Sequence, residues 1–101
     1  VELVLDAGQG WLPGVEIPSD HPLVKTIVEA TEQVLGFKPT VGGFTGGTDA
    51  KHFMTIANTP TVSAFGPGLL SMAHGPNERV PVEDLVKSAK IYALAALDYL
   101  K

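Results

Sequence analysis

At the start of the chain Val1, Leu3 and Leu5 alternate with Glu2 and Asp6. That period of two predicts a strand over Val1 to Ala7, with Val4 breaking its polar face. "GQGWLPGVEIPSD" follows, and its three glycines and two prolines make it an irregular connection. From Pro22 the period lengthens. Leu23, Val24, Ile27, Val28, Thr31, Val34 and Leu35 form one stripe at 3-4 spacing, with Lys25, Glu29 and Glu32 facing away. Ser19 or Asp20 caps this helix, Pro22 suits its first turn and Gly36 ends it.

"PTVGGF", Pro39 to Phe44, reads as a short strand, and Asp49 to Ala57 as a short helix that buries Phe53, Met54 and Ile56. "TVSAF", Thr61 to Phe65, reads as a buried strand after Pro60. A final helix starts near Val82, where Glu83 and Asp84 favour the positive end of its dipole. Its expected core face is Leu85, Val86, Ala89, Ala93, Ala96, Leu97 and Leu100, and Ile91 and Leu94 imply cover on more than one side. After the first strand, helices and strands alternate. That order predicts an α/β fold with parallel strands.

Composition narrows the function classes. A chain of 101 residues makes one domain with a small core. Its formal net charge of -4, with no basic run, argues against nucleic acid or an anionic membrane as partner. Cysteine is absent, which excludes disulfides and thiolate chemistry and fits a reducing compartment, the cytoplasm. Ile91 to Leu97, the most apolar run, is too short to span a bilayer. The chain opens inside a predicted strand with no initiator methionine, so the expectation is a piece of a longer protein.

Two loops follow the predicted strands at the ends where α/β folds gather ligands. In "GGFTGGTDA", Gly46 and Gly47 permit close backbone approach, and Thr48-Asp49 opens a helix whose free N–H groups can hold an anion. The competing reading is a tight turn with a Thr or Asp helix cap. The glycine spacing fits neither a triphosphate loop nor a dinucleotide fingerprint. In "GPGLLSMAHGPNE", His74 sits between Ala73 and Gly75, which leaves its imidazole open to a metal or substrate, with Asn77 or Glu78 able to orient it. His21 and His52 have no motif around them. Zinc needs at least three protein ligands, and the chain offers one convincing candidate.

Taken in order, "GGTDAKHF", "PTVSAFGPG", "MAHGPNERVPVEDL" and the alanine-rich terminal helix resemble the C-terminal segment of the zinc-dependent amidohydrolase and exopeptidase family. That family contains acetylornithine deacetylase, succinyl-diaminopimelate desuccinylase, aminoacylase and glutamate carboxypeptidase. The resemblance implies an α/β catalytic domain interrupted by an α+β lid domain that often dimerises. Residues 1–7 would be the last strand of the lid, 8–20 the return linker, and 21–101 the closing part of the catalytic domain. It also implies two zinc ions (cobalt is an alternative), bridged by an aspartate and a water that a glutamate activates against an amide carbonyl. His74 falls on the family's last metal-ligand histidine, and Gly47 and Thr48 on the pair that lines the substrate pocket. Asp49, Asn77 and Glu78 take supporting roles. The base and remaining ligands lie N-terminal to this segment in the family, so none of the catalytic residues is expected here and the isolated chain is expected to be inactive. The implied substrate is an N-acyl amino acid or a short peptide. The loop looks more like the acetylornithine deacetylase type, because Leu70 stands where the proteobacterial desuccinylases carry an asparagine. A family exopeptidase and a non-catalytic anion-binding α/β module are the alternatives.

Overall fold

A computed structural model describes residues 14–101. The strand expected over residues 1–7 and the first part of the linker 8–20 lie outside the described residues.

Helix α1 spans Pro22–Leu35. Its start differs from expectation: His21 caps it, not Ser19 or Asp20. The cause lies in Pro18 and Pro22. The His21 amide donates to the Pro18 carbonyl at 3.0 Å, so Ser19 and Asp20 are consumed as the middle of a turn. A residue preceding proline is driven to extended backbone, and His21 at φ -60°, ψ 139° has the conformation of a helix cap. Its Nδ1 accepts from the Leu23 amide at 3.1 Å. The helix ends as the sequence predicts, with Gly36 at φ 81° and its amide donating to the Glu32 carbonyl at 2.9 Å.

Helix α2, Ala50–Thr55, is shorter than expected. It buries only Ala50. Met54 is half-buried, whereas Phe53 and Ile56 stand exposed, Ile56 at 80%. A single 3₁₀ turn, Leu70–Met72, interrupts the second loop. Helix α3 runs Val82–Tyr99, with Glu83 and Asp84 in its first turn.

Helices α1 and α3 pack on each other, and the described core lies along their seam. Ala30, Ile91 and Ala95 are buried there, with Ile27, Val34, Leu35, Phe65 and Leu94 packed around them. Thr31 and Ser88 are buried alongside. These small side chains let the two backbones approach closely. The Thr31 hydroxyl, 3% exposed, is satisfied by donating to the Ile27 carbonyl at 2.7 Å.

This seam corrects the expected face of α3. Ser88, Ile91 and Ala95 are buried, while Leu85, Val86, Leu97 and Leu100 are exposed. The helix is apolar on two sides, and α1 can cover only one of them. The strands expected over residues 39–44 and 61–65 lack a pairing partner within residues 14–101. Among the described residues no strand forms: residues 38–45 and 58–62 carry no regular structure, and Ser63 and Ala64 bend. A strand exists only with a ladder partner, and neither apolar run finds one among the described residues. Parallel α/β layering is thus not built by these residues alone.

Candidate functional site

The two glycine-rich loops face each other across a cavity of about 630 Å³. Phe44 and Thr48 line it from the first loop. Phe65, Leu69, Leu70 and Met72 supply an apolar wall from the second, and Glu78 and Arg79 bring one carboxylate and one guanidinium. The result is an open, mostly apolar cleft with a few polar groups, a make-up shared with small-molecule sites.

The first loop is shaped by its glycines and by Thr48. The Phe44 ring lies over Gly46, where an added Cβ would come within 2.5 Å of the ring tip. Gly47 faces open space. The Thr48 hydroxyl donates to the Ser63 carbonyl at 2.7 Å and accepts from the Ala50 amide at 3.3 Å. It therefore ties the loop to the segment entering the second loop and caps α2 at the same time. Asp49 precedes the helix but makes no capping hydrogen bond with its side chain. Of the two capping residues considered from sequence, threonine does the work.

The second loop closes on itself at its base. Gly68 has φ 88°, and a Cβ there would stand 3.1 Å from Cγ2 of Val80. Only glycine meets both conditions without strain. Beyond the 3₁₀ turn, His74 and Asn77 adopt left-handed conformations, φ 59° and 57°. Such backbone is uncommon for residues other than glycine, although histidine and asparagine tolerate it better than most. His74 is exposed, and its neighbour Ala73 lines the cavity. Arg79 reaches back weakly, its Nη1 donating to the Asn77 carbonyl at 3.4 Å.

Of the residues singled out from sequence, Thr48 and Glu78 line the cavity, whereas Gly47, Asp49, His74 and Asn77 do not. Among the described residues, no group of three or more His, Cys, Asp or Glu side chains is placed to hold a metal ion. His74 alone does not make a metal centre. Sequence reasoning passed over Phe44, Arg79 and Tyr92. Tyr92 is half-exposed on a helix that also carries Glu83, Asp84, Lys87 and Lys90, so nothing along the chain demands a partner for its phenol. The phenol has one all the same, donating to the Phe65 carbonyl at 2.8 Å.

Comparison with known proteins gives this arrangement a context. The model of the peptidase family M20/M25/M40 matches residues 7–98. The uncharacterized protein YgeY of Escherichia coli is 34% identical over 90 residues, covering 89% of this chain and 22% of that protein. A putative dipeptidase of Bacillus subtilis, YtjP, is 34% identical over 88 residues, 84% of this chain and 18% of that one. The acetylornithine deacetylase of Myxococcus xanthus is 34% identical over 86 residues, 85% of this chain and 20% of that enzyme. The chain thus spans about a fifth of the length of these relatives. No solved structure gives a significant match.

Proposed function

Because the chain belongs to the peptidase family M20/M25/M40, we propose that it serves as the substrate- and metal-binding C-terminal segment of a metal-dependent amidohydrolase. The substrate is an N-acyl amino acid, and the reaction is hydrolysis of its amide bond in the manner of the acetylornithine deacetylases. The observation that carries this reading is the cavity between the two loops. It joins Thr48 to the wall that leads into His74, whose left-handed backbone holds it at the head of its loop. Strained backbone of this kind gathers at functional sites.

In this reading His74 is one ligand of a metal site completed by residues beyond this chain, and zinc or cobalt is the ion. A metal there supplies an acidified water and a polarised carbonyl. The segment's own residues bind and orient: Thr48 faces the substrate, Gly47 beside it leaves the backbone open to its approach, the apolar wall takes an acyl or side-chain group, and Asp49, Asn77 and Glu78 hold the loops in shape. Residues 1–7 end a lid domain through which the complete protein dimerises, residues 8–20 return the chain, and 21–101 close the catalytic domain as part of an α/β layer. The compartment is the cytoplasm.

A second reading, a di- or tripeptidase of the same family, draws on the similarity to the putative dipeptidase. One assay separates the two. The complete polypeptide, loaded with zinc or cobalt, is offered N-acetyl amino acids, N-succinyl amino acids and dipeptides, and free amine is measured. Faster release from acylated amino acids supports the deacylase, and faster release from dipeptides the peptidase. No release from any of them, with full metal occupancy, refutes both.

A further inference from the structure

The short segment Ser63–Phe65 is gripped from two sides. On one, the Thr48 hydroxyl holds the Ser63 carbonyl at 2.7 Å. On the other, the Tyr92 hydroxyl donates to the Phe65 carbonyl at 2.8 Å, while its ring meets the Phe65 ring edge-on, with centroids 5.5 Å apart and planes at 86°. Tyr92 belongs to α3 and does not line the cavity, but Phe65 and Gly66 do. Phe65 also packs against Ala30, Ile91 and Ala95. The helix pair therefore meets the cavity wall at Phe65, and Tyr92 holds both its carbonyl and its ring. A phenylalanine at position 92 could supply the ring contact but not the donor.

We infer that Tyr92 is a positioning residue for substrate binding, acting through Phe65 on the cavity wall; the part of this inference that concerns substrate rests on the hydrolase reading above. The complete polypeptide carrying Tyr92→Phe is compared with wild type and with Tyr99→Phe, a phenol on the same helix with no hydrogen bond to the loops among the described residues. In Tyr92→Phe, KM rises about threefold to tenfold, the range open to one neutral hydrogen bond, while kcat and metal content stay within twofold. Amide hydrogen exchange accelerates across residues 64–73 and is unchanged within α1. Tyr99→Phe leaves all of these as in wild type. Unaltered exchange over residues 64–73 overturns the proposal whatever the kinetics, and so does a lowered melting temperature with KM unmoved. A wild type that hydrolyses no amide, yet whose loop exchange still responds to Tyr92→Phe, refutes the hydrolase reading and with it the substrate-binding role, leaving Tyr92 a loop anchor alone.

Discussion

Thr48 is the most informative single position, because its hydroxyl serves the fold while the residue lines the cavity. Replacing it by valine keeps the branched shape and removes only the polar atom. Two bonds are lost, the 2.7 Å donation to the Ser63 carbonyl and the 3.3 Å acceptance from the Ala50 amide. The short bond contributes about 1 to 1.5 kcal/mol, and the long one a few tenths. The Ser63 carbonyl is only half-buried and water can replace part of the loss, so Thr48→Val is expected to destabilise by about 1 to 2 kcal/mol. Thr48→Ser retains the hydroxyl and stays within about 0.5 kcal/mol of wild type. Urea unfolding of the complete polypeptide measures both variants. With substrate, Thr48→Val lowers kcat/KM about tenfold at unchanged metal content, and the serine variant recovers most of it. A valine variant as stable and as active as wild type refutes the reasoning. Lowered stability with full activity shows that the hydroxyl serves the loop and not the substrate.

Three further outcomes are expected. His74→Asn keeps a residue that tolerates the left-handed backbone at φ 59°, so it isolates the imidazole from loop shape. Metal analysis of the complete protein should show a lowered content and hydrolysis should fall at least about a hundredfold, the upper range for losing an outer hydrogen-bonded partner of a ligand; normal content and turnover make His74 an ordinary loop residue. Gly68→Ala meets both a φ of 88° and a Cβ only 3.1 Å from Val80, and should cost at least about 1 kcal/mol in thermal unfolding; Gly47→Ala, in open space with no left-handed φ, is the control that stays near wild type. The isolated 101-residue chain should self-associate in light scattering, because Val82, Leu85, Val86, Leu97 and Leu100 are exposed along one helix; a monodisperse monomer at high concentration contradicts this.

The helices are legible from local signals, apart from the cap of α1 and the length of α2. Pro22 and Gly36 bracket α1 because proline's ring locks a helical φ and glycine adopts the left-handed cap without strain. Pro81 likewise precedes α3. Features that depend on a distant partner are not legible in the same way. Periodicity identifies apolar stripes but not which one meets another helix, and α3, apolar on two sides, buries the stripe that periodicity does not single out. The runs at 39–44 and 61–65 have strand composition, but pairing is decided by segments that the composition of a run cannot reveal. Within the site, Thr48 and His74 stand out through their small, glycine-rich surroundings. Phe44 and Arg79 emerge only once the chain brings separate stretches to one cavity, and Tyr92 only once α3 lies beside Phe65, relations that spacing along the chain does not encode.

The small residues between α1 and α3 have a consequence for how this chain can drift over generations. Ala30, Thr31, Ser88 and Ala95 act as the gauge that sets the distance between the two helices, and Phe65 rests on the same gauge. One added methylene at any of them wedges the helices apart and carries Phe65, a wall of the cavity, with it. Neutral substitution there is confined to residues of nearly the same volume. By the same lever, a lineage could widen or narrow its cavity by changes made on the far side of Phe65, leaving every side chain that faces the ligand untouched.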